Sequence, residues 1–492
     1  MRRRPHSLRT LALTALLALG ALASLTAAQD KAGRIDALMK LYADYGQFNG
    51  AVLVAESGKV IYKKGFGPAN MEWNIPNRPD TKFRLGSITK QFTSMLVLQL
   101  VEAGKVSLDG KLSDYLPSYR KDTGGKVTIH HLLTHTSGIP SYTGLPDFGS
   151  KISRDPYAVD EFVETFCSGD LEFEPGATYR YNNSGYFLLG AVIEKVTGRP
   201  YEQVLEEKIF RPLGMKDSGY DHSAAVIPRR AAGYEQSLEG YANSPYLDMS
   251  LPYAAGSLYS TVEDLYLWDQ ALYTDRLLSA KMMELLFKPH VQRPGSAYGY
   301  GWGVGKKTLP RSKREVAFVR HDGGINGFNT LIERYVDDRH LVVLLNNTGG
   351  TNLGEMTTAI GRILYGEPYD PPRRSIARVF YATLRAKDLE TAIAEYRQLR
   401  KSGPQDYSFR PAELNQVGYA LLEAGRVEEA IKVFQLNVES YPEDGNGYDS
   451  LAEAYAAKGE KALAIKNYAK SLELDPTNAG AVDKLSRLVK RN

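Results

Sequence analysis

The spacing of apolar positions changes character along the chain. "GAVLVAESGKVIYKKGFG" (50–67) holds two apolar-rich runs around a Glu-Ser-Gly-Lys turn, the pattern of a β-hairpin. "FRLGSITKQFTSMLVLQL" (83–100) passes from polar to apolar, with Met95–Leu98 apolar on every face. This predicts a helix buried in a domain centre and ending near Gly104. The middle third reads as helices joined by long loops. "SGYFLLGAVIEKVTG" (184–198) has helical spacing and a glycine end, and Ser260-Thr261-Val262-Glu263 reads as a capping box opening another helix. Strands return from about Gly299. "REVAFVRHDGG" (314–324) leads into "GFNTLIERYVDDRHLVVLLNN" (327–347), whose halves flank Asp337-Asp338. Strands first, helices between and strands last predict an α+β domain. Its antiparallel sheet draws on both chain ends, is flanked by helices and carries an all-α insertion.

"PYDPPRRS" (368–375) is proline-rich and polar and reads as a linker closing a first domain of residues 29–367. Beyond it, residues 376–492 repeat themselves. At a shift of 34, Val417 meets Leu451, Gly418 meets Ala452, Gly425 meets Gly459, Ala430 meets Ala464, Phe434 meets Tyr468 and Pro442 meets Pro476. Small and large residues recur where two antiparallel helices pack, and the pattern resembles tetratricopeptide repeats. That resemblance implies an all-α array with a concave face for a peptide or protein partner. A module packed on the first domain is the alternative.

The first residues stand apart from both domains. Four arginines precede "LALTALLALGALASLTAA" (11–28), and Thr26-Ala27-Ala28 offers small residues before Gln29-Asp30. Residues 1–28 therefore read as a signal peptide, which predicts export to the periplasm or the cell exterior. A retained membrane anchor is the alternative. Arg2, Arg3, Arg4 and Arg9 supply the whole formal charge of +4, so the remaining chain is near neutral. No basic block with interleaved aromatics appears, and nucleic-acid binding has no support. Cys167 is the sole cysteine, which excludes an internal disulfide and a cysteine-based metal site.

Candidate chemistry sits at three places. Ser87 and Lys90 are three residues apart at the start of the buried helix, and so share a face. A serine hydroxyl needs a base to become a nucleophile, and a lysine serves as one when burial lowers its pKa. The spacing alone also fits a cap serine, and Ser118 and Lys121 repeat it without a buried helix. "YRYNNSGYFLLG" (179–190) sets Tyr181 two residues before Asn183, directly ahead of a helix. A phenol beside cations can carry a proton, and an amide can hold both the lysine and a substrate carbonyl. Tyr241 and Asn243 copy the spacing in a polar segment. "VRHDGGINGFNT" (319–330) places His321-Asp322-Gly323 at a strand end, where the N–H of Gly324, with that of Ser87, would form an oxyanion hole. A hairpin with a glycine turn fits equally well. His131 and His135, four residues apart, have the spacing of a zinc pair. The glutamate of the zinc-protease helix is missing, and no metal or cofactor is expected.

Taken together these stretches resemble the serine β-lactamase and penicillin-binding DD-peptidase superfamily, in the branch of class C β-lactamases. Ser87-Ile88-Thr89-Lys90, Tyr181-Asn182-Asn183 and His321-Asp322-Gly323 occur in family order. "VSLDGKLSDYLP", "TIHHLLTHTSGIP" and "GSLYSTVEDL" agree as framework, over about 35–365. The resemblance implies that Ser87 is acylated, Lys90 and Tyr181 share the proton work, and Asn183 positions Lys90 and the substrate. It also implies that His321 replaces the lysine of the lactamase third motif, and that Gly323 and Gly324 line the substrate strand.

Asp322 departs from the lactamase pattern, which has a hydroxyl there. A carboxylate at that point repels a carboxylate ligand unless Arg320, on the same strand face, neutralises it. The expected activity is amide or peptide hydrolysis through an acyl-enzyme, on a peptidoglycan peptide, a D-amino-acid amide or a β-lactam. Penicillins and free D-Ala-D-Ala ends are disfavoured by Asp322; an ester, an internal amide or a free amine is favoured. A carboxylesterase on the same machinery is the first alternative. The second is an inactive binding protein working through its repeats.

Overall fold

The structure, a computed structural model, describes residues 30–490. The predicted signal segment, 1–28, lies outside the described residues. Two compact units divide the chain, the first ending at Pro371 (less Ser237–Gly240) and the second starting at Pro372.

In the first unit, β1 (Gly50–Glu56) and β2 (Lys59–Phe66) form the predicted hairpin. The closing strands are β3 (Val291–Arg293), β4 (Ser296–Tyr298), β5 (Gly303–Thr308), β6 (Glu315–Ile325), β7 (Phe328–Tyr335) and β8 (His340–Asn346). They build one eight-stranded sheet in the order β3-β4-β5-β6-β7-β8-β1-β2. Every pairing is antiparallel, and β1 meets β8 from Gly50↔Asn346 to Ala55↔Leu341. The two ends of the unit thus join side by side, as the order of patterns predicts.

Both faces of the sheet are covered, which is why β1 reads as a nearly unbroken apolar run. Ala51, Leu53 and Ala55 pack into the cluster that holds Phe92, Met95 and Leu96 of helix α1 (Thr89–Glu102). Val52 and Val54 point the other way, onto Ile35, Leu38 and Met39 of the helix over 30–44 and onto Met356 and Ile360 of a helix near the end of the unit. Each such buried aliphatic chain contributes about 1.5–3 kcal/mol. α1 is buried from Thr89 through Leu98, consistent with its all-round apolar sequence. The insertion supplies α2 (Asn183–Thr197), opened by the Asn182 side chain accepting from Gly185 N at 2.8 Å and closed by left-handed Gly198. It also supplies the short α3 (Tyr253–Gly256). The covering helix after β8 is α4 (Leu353–Leu364).

The second unit is helical: α5 (Ile376–Ala386), α6 (Leu389–Ser402), α7 (Pro411–Glu423), α8 (Val427–Ser440), α9 (Gly445–Lys458), α10 (Lys461–Leu474) and α11 (Ala479–Lys490). The α7–α8 pair recurs as α9–α10, with starts at 411 and 427 moving to 445 and 461, both 34 residues on. A Cβ at Gly418 would lie 2.3 Å from the Phe434 ring, so the smallest residue of one helix faces the largest of the next.

Candidate active site

Two helix starts and one strand converge on Ser87. The residue sits in a 3-10 turn, Gly86–Ile88, that runs directly into α1. Gly86 has φ +55, a left-handed conformation suited to glycine, and a Cβ there would lie 3.0 Å from the Gly324 amide nitrogen on β6. The neighbouring contact is closer still. A Cβ on Gly323 would fall 2.0 Å from the Leu85 carbonyl oxygen and 2.3 Å from Thr330 Oγ1, which itself donates to that carbonyl at 2.7 Å. The glycines of the third motif therefore let β6 press against the turn that carries the nucleophile. Gly323→Ala is expected to cost about 1–3 kcal/mol by overpacking, and to cut activity by on the order of 10²-fold as the turn shifts. Thermal melts and ester turnover of the variant check this, and unchanged values in both would refute the contact.

Lys90 is fully buried. Its Nζ lies 3.0 Å from Ser87 Oγ, 2.9 Å from Asn183 Oδ1 and 2.9 Å from the Ala255 carbonyl of α3; the last two only accept, so a neutral amine donates to them and turns its lone pair to the Ser87 hydroxyl. Among the described residues no carboxylate forms an ion pair with it. Burial holds its pKa well below that of a free lysine, while the Asp322 charge pulls the other way. This is the condition under which a lysine takes a proton from serine near neutrality.

Tyr181 stands over Lys90, its ring centroid 4.9 Å from Nζ. The residue is 37% exposed, yet its phenol is desolvated. That desolvation raises the pKa well above the ordinary value, against a hydrogen bond with Ser87 that lowers it. The phenol is accordingly a proton donor at neutral pH. Asn183 opens α2; its Nδ2 donates to Thr143 Oγ1 at 3.2 Å and its backbone N to Ser141 Oγ at 3.2 Å, fixing which end of the amide faces Lys90.

His321 lies on β6 with both ring nitrogens engaged. Nδ1 is 2.6 Å from the Asp322 carbonyl, and Nε2 is 3.0 Å from the Tyr298 hydroxyl. Since a carbonyl only accepts, Nδ1 carries the proton and Tyr298 donates to Nε2. Burial lowers the His321 pKa to about 4, so the ring is neutral. Asp322 is exposed and has no ion pair among the described residues. The neutralisation by Arg320 that the sequence left open does not occur. Arg320 stands opposite Glu333 in the β6–β7 register and turns to it, with Nη1 at 3.7 Å. Glu333 is wholly buried and also holds Lys307 Nζ at 2.6 Å, so Arg320 joins a buried ion-pair cluster, whereas exposed Asp322 is left to water.

The decoys separate in space as well. Ser118 and Lys121 sit exposed outside any buried helix. His131 and His135 serve other ends: His131 Nδ1 accepts from Thr128 N at 3.2 Å, and His135 Nδ1 accepts from Asn182 N at 3.0 Å. Burial pushes the Cys167 thiol up to about 12, which leaves it unreactive. Ala255, Thr143, Ser141 and Tyr298 escape sequence reasoning. Each acts through a backbone carbonyl or a hydroxyl from a distant segment, and none belongs to a spaced motif.

A serine bonded to a desolvated amine, framed by glycine backbone, is the working part of a serine hydrolase. The chain belongs to the Beta-lactamase family, which it matches over residues 33–365, and its relatives there are serine hydrolases whose reactions differ. It is 33% identical over 387 residues to penicillin-binding protein 4* of Bacillus subtilis, covering 74% of this chain and 82% of that one. It is 29% identical over 312 residues to a teichoic acid D-alanine hydrolase of Staphylococcus aureus, covering 63% and 73%. Among solved structures, the D-amino acid amidase of Ochrobactrum anthropi superposes with a TM-score of 0.57 at 26% identity, covering 67% of this chain and 97% of that one.

Proposed function

We propose that this enzyme hydrolyses esters or amides of amino acids whose ammonium group is free, through an acyl-enzyme on Ser87. The observation that carries the substrate class is Asp322, a carboxylate with no paired cation among the described residues, on the strand that presses against the Ser87 turn. It disfavours the carboxylate of a penicillin and favours an ammonium. The names of the Staphylococcus and Ochrobactrum relatives, each acting on a D-amino-acid derivative, support the same class and suggest the D configuration.

In this reading neutral Lys90 takes the Ser87 proton as Oγ attacks the carbonyl carbon. The negative oxygen is received by the amides of Ser87 and Gly324, a placement supported by the contact of Gly86 with Gly324. Protonated Tyr181 gives its proton to the leaving group and recovers from Lys90 the one taken from Ser87. Water then attacks the ester with the same groups in reverse. Asn183 holds Lys90, and His321 holds the substrate strand through Tyr298 and the Asp322 carbonyl. The second unit reads as a tetratricopeptide-like array for a peptide or protein partner, supported by its 34-residue recurrence. Export is supported by the leader pattern at 1–28.

The test compares an alanine ester with its N-acetyl form. A charge beside an exposed carboxylate is worth about 1 kcal/mol, so kcat/KM is expected to favour the free amine by about fivefold to tenfold, with the preference gone in Asp322→Asn. Equal or better turnover of the acetylated ester by the unmodified enzyme would sink the ammonium reading and favour a plain carboxylesterase.

A further inference from the structure

His135 lies behind the catalytic groups and touches no substrate position. It is 1% exposed and adopts φ +59, a left-handed conformation uncommon outside glycine and tolerated best by asparagine, aspartate and histidine. Its backbone carbonyl accepts from Arg180 N at 2.9 Å, and its ring Nδ1 accepts from Asn182 N at 3.0 Å. Tyr181 is therefore held between two bonds to one residue. An Nδ1 that accepts must be bare, so the neutral ring carries its proton on Nε2. That Nε2 is buried without a hydrogen-bond partner among the described residues. A core position chosen for packing alone would take an aliphatic chain and avoid this loss.

The ring also stands between the motifs. Its centroid is 4.3 Å from that of Tyr181, 4.8 Å from Tyr298 and 5.1 Å from Tyr186. Tyr298 holds His321 of the third motif, and the Tyr186 hydroxyl is 3.1 Å from Ser94 Oγ on α1, the helix of the first. One side chain thus contacts the tyrosine of the second motif and the tyrosines that tie back to the other two.

We propose that His135 is a positioning residue, which sets the Tyr181 phenol against Ser87 and Lys90 through its Nδ1 bond to Asn182 and its tilted ring contact with Tyr181. Burial keeps the ring neutral, and a proton on Lys90 or His321 acts in the same direction. A protonated ring has no acceptor for Asn182, so the clamp requires this state. The inference rests on Tyr181 acting in proton transfer. Its failure is separable from failure of that reading, because Ser87-dependent ester turnover tests the chemistry and His135 variants test only the placement.

The experiment uses the full chain with an activated ester. His135→Leu fills the space without an acceptor; its kcat is expected to fall about 10²-fold with KM within threefold, since a displaced relay affects the reacting groups and not the ground-state complex. His135→Asn suits the backbone angle and offers an oxygen near the Nδ1 position, and its kcat is expected to stay within about fivefold of the parent. A His135→Leu enzyme with kcat within threefold of the parent overturns the proposal, as does His135→Asn falling as far as His135→Leu, or a loss carried by KM alone. Nitrogen NMR of histidine-labelled parent protein stands even where the leucine variant does not fold. The resonance lost in His135→Asn is expected to report bare Nδ1 and protonated Nε2, and protonation at Nδ1 overturns the clamp.

Discussion

Ser87→Ala is expected to lower turnover of an activated ester by on the order of 10⁴-fold or more, and to abolish the mass increment that an acylating compound adds to the protein. The fold should survive. Ser87 is only partly buried, and removing Oγ leaves Lys90 bonded to Asn183 and the Ala255 carbonyl. Intact mass spectrometry separates the competing chemistries in one experiment. A Ser87-dependent adduct with an aminoacyl ester and none with a penicillin is the expected result, because Asp322 opposes the penicillin carboxylate. A stable penicillin adduct would move the enzyme to the penicillin-recognising branch and show that Asp322 is screened. Residual turnover in Ser87→Ala equal to that of the parent would return the function to the helical repeats.

Much of this was legible in the sequence for a physical reason: local pattern carries information wherever neighbours in sequence are neighbours in space. Ser87 and Lys90 share a helix face, Tyr181 and Asn183 flank a helix cap, and the alternation in 50–67 writes out a hairpin. Parts that depend on long-range assembly were not. The capping box expected at Ser260–Glu263 is displaced by one residue. Thr261 caps the helix by accepting from Asp264 N at 3.1 Å, while the Asp264 carboxylate turns to Ser218 and Asp217, forty-odd residues earlier. Arg320 follows strand alternation to the predicted face and then chooses Glu333, whose burial only the β6–β7 register reveals. His131 and His135 carry a metal-like spacing, but the chain turns left-handed at His135 and sends its ring to Tyr181. Side-chain destinations of this kind are set by topology, and spacing is silent on them.

Lys90→Met tests the other half of the catalytic pair. Methionine matches the stem in shape and removes the base, so kcat/KM is expected to fall by about 10² to 10⁴-fold. Stability should change little. The variant no longer desolvates an amine, a gain, but it strands the Ala255 carbonyl and Asn183 Oδ1, a loss of about 1–3 kcal/mol for each buried group. A melting temperature within a few degrees of the parent is the outcome of that near-balance, and activity lost at constant stability marks Lys90 as chemical and not structural. The pH profile carries the sign. Lys90 works in its neutral form, so kcat/KM rises as pH rises through its pKa, and burial sets that limb well below the range of a free lysine. Asp322 stabilises the charged form and holds the limb higher than burial alone would. Asp322→Asn must therefore move the limb to lower pH, whereas Lys90→Met must remove it. A limb that persists in Lys90→Met belongs to another group, and a limb that moves upward in Asp322→Asn contradicts the placement of that carboxylate beside the amine. In the proposed reading, the residue that selects the substrate charge also raises the pH at which the base is ready, which ties the choice of substrate to the chemistry through one carboxylate.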